Sequence, residues 1–235
     1  MRFLAIIPAR KGSKGIKNKN FKLFNGKPLV YWTIKSAKKS KYLNKILVST
    51  DSSIIKNFSL KMKIYCPFLR PKNLSTDKTT ANKVIVHALN FLKQKNNYVP
   101  DAVVYLQPTS PLREAKDIDN ACKIFNYIRP DSLVSVVKIH HNLNPSRVYS
   151  KSKKNFLKKI SRKKEKIALR QNTKSYYGNN GASIYITSIK KINEFITGGK
   201  LIGYEMSKLK SIDIDEIDDF KLAEVIQKKF KFNLR

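Results

Sequence analysis

Three short segments combine residue types and spacings that could handle a phosphate ester. The first, "ARKGSKGIKNKN" (Ala9 to Asn20), sets Arg10, Lys14, Lys17 and Lys19 around Gly12 and Gly15, directly after an apolar run. Glycine permits tight turns, and successive backbone amides in such a turn form a concavity that holds an anion. The spacing is neither the Walker A pattern nor the dinucleotide G-x-G-x-x-G, so a phosphate cradle and a solvated turn are both open readings. The second segment is "SIDIDEIDDF" (Ser211 to Phe220). If Ile212 and Ile214 face the core from a strand, Asp213 and Asp215 share the other face, roughly 6–7 Å apart. Two carboxylates at that separation can hold a hard divalent cation, which in turn binds phosphate oxygens. The alternative is that Asp215 N-caps the next helix while Glu216, Asp218 and Asp219 complement its dipole. The third segment, "YLQPTSPLREAKD", places Gln107, Thr109 and Ser110 just beyond an apolar strand, with Pro111 suited to a first helical turn. These polar groups can meet a ligand or serve as turn and cap residues.

The elements that would hold these segments follow from periodicity. "FLAIIP", "KILVST", "AVVYLQP", "SLVSVVKI" and "ASIYIT" read as strands rich in Ile, Val and Tyr. "PLVYWTIKSAKKS", "TANKVIVHALNFLKQK", "AKDIDNACKIFNYI" and "EIDDFKLAEVIQKKF" carry apolar residues at helical spacing. Alternating strands and helices, with strands apolar on both faces, imply a mostly parallel sheet covered by helices on each side. Ligands of such sheets bind beyond the carboxyl ends of the strands. The alternation breaks between His140 and Asn180, a polar, Lys-rich stretch read as an arm, a flap or a disordered insertion.

Composition sets the bounds. The 235 residues, 41% of them apolar, suffice for one domain of ordinary size with a substantial core. Cys66 and Cys122 lack metal-ligand spacing and do not form a disulfide framework, which points to a reducing, cytoplasmic setting; Cys122 falls on the apolar face of its helix. No apolar run approaches the ~18 residues of a membrane span. The net charge of +33 is scattered as lysines along the whole chain, and the dense run Lys151 to Lys166 offers only Phe156 for stacking. That pattern fits a solvated surface better than a dedicated nucleic-acid partner. His87, His140 and His141 read as structural.

Taken in order, "IIPARKGSKGIKNKN", "STD", "RPKNLSTDKTTANKVIVHAL", "LQPTSPLR", "RQN", "NNGASIYI" and "SIDID" resemble the acylneuraminate cytidylyltransferase family, the CMP-sialic acid synthetases and their relatives. The likeness runs from Phe3 to about Val225. It implies an α/β chain with a three-layer, Rossmann-like nucleotidyltransferase fold, a single domain over residues 1–235 with a small dimerisation arm at about 140–180. The implied reaction joins CTP to an acidic nine-carbon 2-keto sugar, releasing pyrophosphate, with Mg²⁺ as cofactor and a homodimer as the assembly.

The resemblance also assigns roles. Arg10 and Lys19 supply charge to the triphosphate, amides near Gly12 and Ser13 hold its oxygens, and Asn20 contacts the nucleotide. Arg70 reads the base together with Thr79 or Thr80, where relatives carry a hydroxyl at about Ala81. Asp213 and Asp215 hold the metal. Gln107 and Arg170 bind the sugar acid, with Asn180 or Tyr185 nearby; Ser183 lengthens this last motif relative to the family pattern. Two other functions compete: a nucleic-acid-binding protein on an inactive transferase scaffold, and a synthetase for the shorter Kdo-type acid.

Overall fold

The computed structural model describes residues 1–160, 175–181 and 183–233. Strand β1 (Phe3–Pro8) is followed by the basic segment and a small hairpin, β2 (Leu23–Phe24) and β3 (Lys27–Pro28). The hairpin turns on Asn25 and Gly26, both at positive φ, as a two-residue turn between right-twisted strands requires. Then come α1 (Leu29–Lys39), β4 (Leu43–Ser49), α2 (Ser53–Lys61), α3 (Ala81–Asn96), β5 (Ala102–Tyr105), α4 (Ala115–Ile128) and β6 (Ser132–Lys138). A two-stranded excursion, β7 (Tyr149–Lys151) with β8 (Leu157–Lys159), precedes β9 (Tyr177–Asn179), β10 (Tyr185–Ser188), β11 (Leu201–Glu205) and α5 (Ile217–Phe230).

The central sheet runs β11-β6-β10-β5-β1-β4, with β9 added on β6. Strands β4, β1 and β5 are mutually parallel, as are β6 and β11, while β10 lies antiparallel between β5 and β6. The sheet is therefore mostly parallel, with β10 and the short β9 reversed. That reversal starts β10 at the carboxyl end of β5, where Tyr185 pairs with Tyr105, so the loop before it reaches the ligand-binding edge.

Alternation along β1 explains the layers. Phe3, Ala5 and Ile7 pack with α1, α2 and α4 through Val30, Ile34, Ile55, Ile118 and Phe125. Leu4 and Ile6 point the other way, onto Ile85, Ala88 and Leu92 of α3. Every residue from Phe3 to Ile7 is essentially inaccessible, which is why the strand reads as one unbroken apolar run. A third cluster sits at the carboxyl edge: Ile16, Phe24, Leu29, Trp32, Leu112, Ile214, Phe220 and Ala223. It joins the basic loop, the start of α1, the acidic segment and α5 into one apolar unit.

Several expectations change in detail. Pro111 does not open a helix; α4 begins at Ala115, where Glu114 and Asp117 form a capping box. The segment from Ile212 to Asp215 forms no strand. The irregular stretch after His140 contains the exposed β7–β8 hairpin, and its far end rejoins the sheet as β9. Both cysteines are free and buried, Cys122 on the inner face of α4. Among the described residues no helix is long and apolar enough to cross a membrane.

Candidate active site

Beyond the carboxyl ends of β1 and β5 lies a cleft of about 510 Å³, within the range of small-molecule sites. Its walls include Arg10, Ser13, Lys19, Arg70, Gln107 and Asp215, drawn from all three chemistry-bearing segments.

The basic segment is fixed from below. The Asn20 side-chain amide donates to the Arg10 carbonyl at 2.8 Å, and the Lys11 amide donates to Asp51 at 2.7 Å. Asn20 is itself buried, so it holds the loop's shape while lining the cleft. Lys19, with a side chain only 12% exposed, donates to the Ile214 carbonyl at 2.6 Å and lies 3.5 Å from the Asp215 carboxylate. Gly15 meets the Asp215 carbonyl so closely that a β-carbon there would overlap it. Chain segments about two hundred positions apart are thus held together by a side-chain hydrogen bond and a close main-chain approach. Gly12 has open space where a β-carbon would project and lies outside the cleft's lining; Ser13 lines it.

The two aspartates separate in role. Ile214 is fully buried, and its amide donates to the Thr109 carbonyl at 2.8 Å, pinning the acidic segment to the polar loop after β5. Asp215 is exposed at the cleft wall. Asp213 lies outside the cleft's lining, half-buried against Gly181, whose φ of +70° and lack of a side chain admit the carboxylate. Burial pushes the Asp213 carboxyl up to about 6, a hydrogen bond from Thr109 opposes that rise, and the Asp215 charge reinforces it. Asp213 Oδ1 is buried without a hydrogen-bond partner. A half-buried carboxylate with an unused oxygen, beside a second carboxylate, fits a hard cation that keeps several waters and phosphate ligands, as Mg²⁺ does. Asp215 does not N-cap the final helix: Glu216 takes that position in a capping box with Asp219. The Asp215 and Glu216 amides both donate to Asp219, at 3.0 and 2.9 Å, and the Asp215 side chain is left for the cleft.

Arg70 is buried at the opposite wall, near Tyr105; its amide donates to the Thr50 carbonyl at 2.7 Å and its Nε to Ser75 at 3.2 Å. Desolvation lowers the Arg70 pKa and raises that of the Tyr105 phenol. Of the two threonines, Thr79 lines the cleft, whereas Thr80 caps α3 by accepting from the Lys83 amide at 3.5 Å. Gln107 lines the cleft, and its carbonyl is held by Arg113 and Thr33, each at 3.3 Å.

The remaining expected sugar contacts are not assembled in the same way. Asn180 is turned inward, only 3% exposed. Its carbonyl accepts from Ser135 at 2.7 Å and its amide donates to Ser211 at 3.1 Å. In this arrangement it shapes the loop rather than facing a ligand. The Tyr185 hydroxyl accepts from Asn179 at 2.6 Å, outside the cleft's lining. Arg170 lies outside the described residues. None of the three histidines lines the cleft; His87 packs edge-on to Phe68.

Two residues gain importance that the sequence did not announce. Asp77 sits across the cleft mouth, bonded to Arg10 at 2.6 Å and Lys14 at 3.2 Å. A lone acid in a stretch of cations was the available signal. Arg113 is completely buried and ties the Gln107 carbonyl, the Ser183 carbonyl and the Thr33 hydroxyl together. Burial pulls its pKa down to about 9, and only the absence of any solvated role for an arginine inside a motif hinted at it.

Comparison with known proteins places the whole chain. Residues 4–232 match a family model described as cytidylyltransferase. The chain is 36% identical over 231 residues to CMP-N,N'-diacetyllegionaminic acid synthase from Legionella pneumophila, covering 95% of each. It is 30% identical to a pseudaminic acid cytidylyltransferase from Campylobacter jejuni, with 97% of each chain covered. It is 32% identical to N-acylneuraminate cytidylyltransferase from Escherichia coli, of whose length it spans about half, 52%. Among solved structures, CMP:2-keto-3-deoxy-manno-octonic acid synthetase complexed with CTP superposes with a TM-score of 0.70 over 98% of this chain and 100% of that one, at 13% identity. A 4-diphosphocytidyl-2C-methyl-D-erythritol synthase from Anaerococcus prevotii gives 0.64 at 12% identity, covering 97% and 98%. These two share the fold. With nearly its whole length matched and its basic loop, acidic segment and polar strand-end meeting in one cleft, the chain belongs to the cytidylyltransferase family.

Proposed function

We propose that this protein activates a nine-carbon 2-keto sugar acid, joining it to CTP to give the CMP-sugar and pyrophosphate. The observation that carries this reading is the direct contact of the cationic turn with the acidic segment, through Gly15 to Asp215 and Lys19 to Ile214. Relatives named for sialic, legionaminic and pseudaminic acids favour nine-carbon acceptors.

The sugar's anomeric hydroxyl attacks the α-phosphorus in line, the bond to the β-phosphate breaks, and pyrophosphate departs. Positioning and charge neutralisation are what such a transfer asks of a protein. Arg10, Lys19 and the amides of the Gly12–Ser13 turn receive the triphosphate, and Arg70 with Thr79 faces the base. Gln107 and Arg170 receive the sugar acid, Arg170 through a bidentate fork to its carboxylate. Asp213 and Asp215 would hold Mg²⁺, which when bound neutralises phosphate charge and acidifies the attacking hydroxyl. The exposed β7–β8 hairpin is the element we assign to homodimer contact, and a cytoplasmic setting follows from the CTP requirement.

The test is pyrophosphate release from CTP and Mg²⁺ with a panel of nine-carbon acids plus an eight-carbon acid. Turnover with at least one nine-carbon acid is expected; turnover with the eight-carbon acid alone reassigns the acceptor, and none with any acid removes the proposal. Asp213→Asn and Asp215→Asn each lower turnover by about 100-fold or more while the fold is kept, the scale of losing one preorganised charge contact at a transition state.

A further inference from the structure

We propose that Asp77 is an internal stand-in for phosphate: its carboxylate pairs with the cations of the cleft and gives them up to the nucleotide. This inference rests on the reading that the cleft binds a triphosphate.

The geometry is that of an anion already seated. One Asp77 oxygen lies 2.6 Å from Arg10 Nη1, the other 3.2 Å from Lys14 Nζ, so each oxygen serves a different cation, as two phosphate oxygens would. All three residues line the same cleft as Lys19 and Gln107. The pair of contacts also spans it, since Arg10 and Lys14 follow β1 whereas Asp77 lies in the turn before α3. That turn is built to present the acid: Thr76 and Thr79 bond each other through their hydroxyls at 3.0 Å, and the Thr76 amide donates to Thr79 at 3.2 Å. The two cations hold the Asp77 carboxyl below its ordinary range, so it remains an anion at neutral pH.

The same contacts are weak enough to exchange. Asp77 is 43% exposed and Lys14 80%, and ion pairs this accessible are screened by water and salt. A triphosphate brings several charges to the cations where Asp77 brings one, so the substrate wins the exchange. On the product side, the carboxylate is at hand to re-form its two contacts as pyrophosphate leaves. A single residue thereby lowers affinity for both the entering and the departing phosphates. The opposite role, in which Asp77 orients Arg10 for the ligand, predicts the opposite sign when it is removed.

Equilibrium titration of the full chain with pyrophosphate and with CTP separates the two. Removing the carboxylate in Asp77→Asn should tighten binding of both by about threefold to tenfold, the scale of two exposed ion pairs. The gain should shrink as salt is raised to about 0.5 M, where the Debye length falls well below that of a physiological buffer. Asp77→Ser reads the same loss of charge should the amide disturb the turn, and Asp77→Glu should return affinity toward wild type. Unchanged or weaker binding in both neutral variants, with wild type binding normally, overturns this inference alone. Wild type that binds neither anion overturns the proposed function and this inference with it.

Discussion

Alanine at Gly15 tests the contact on which the site depends. A β-carbon there would overlap the carbonyl of Asp215, and because that neighbour is main chain it has no rotamer by which to withdraw. The loop and the acidic segment must move apart, loosening the Lys19 bond to Ile214 and the apolar packing of Ile16 against Ile214. Overpacking of this kind costs about 1–3 kcal/mol, which in a domain of this size lowers the melting temperature by about 2–12 °C. Gly12→Ala supplies the stability control. Nothing stands within 4 Å of its would-be β-carbon, so it should be neutral or raise stability by up to about 1 kcal/mol through the unfolded chain. Thermal denaturation of the metal-free protein compares the two, and pyrophosphate release measures the displacement. A shift of about 1 Å in the positioning of reacting groups lowers kcat by about 100-fold. Gly15→Ala that melts with Gly12→Ala and turns over like wild type would show that the two segments do not meet.

Two further outcomes follow from the same site. Folded Asp213 retains its proton up to about pH 6, against 3.8 for the ordinary carboxyl. Between those values the folded state holds more protons than the unfolded one, so this residue's contribution falls as pH rises through 6 and is favourable only below that range. The shift corresponds to about 3 kcal/mol at most, and about 1–2 kcal/mol after allowing for partial exposure. With chelator present, Asp213→Asn should therefore gain stability over wild type as pH rises from 4.5 to 7.5; a gap independent of pH contradicts the burial account. Lys19→Met removes the bond to the Ile214 carbonyl and the charge beside Asp215. It should lower stability by about 1.5–3 kcal/mol and lower kcat more than CTP affinity, as read by melting and by steady-state kinetics. Unchanged melting would mean the strut is dispensable.

Periodicity carried most of the fold, because β1 and β5 are buried on both faces and α1, α3 and α4 each present one apolar side. It could not reveal that β10 runs backwards: alternating Ile and Tyr residues look alike in either direction, and only the pairing of Tyr185 with Tyr105 fixes the sense. The basic loop and the acidic segment were visible as unusual composition. Their mutual distance was not, because Gly15 acts through the absence of a side chain and its partner is a backbone carbonyl. The one-residue difference between Asp215 and Glu216 as helix cap turned on which acid lay three positions before Asp219. Asn180 illustrates a related point. An amide in a motif looks ready for a ligand until Ser135 and Ser211 are found to occupy it.

Lys19 and Ile214 stand 195 positions apart, and that separation sets an order of events during synthesis. At ordinary elongation rates of about 5–20 residues per second, roughly 10–40 s pass between their appearances. Through most of that interval the basic turn has Asp77 as an acidic partner but lacks the segment that holds it through Ile214 and Asp215. The complete site is therefore a late-acquired property of the translation product.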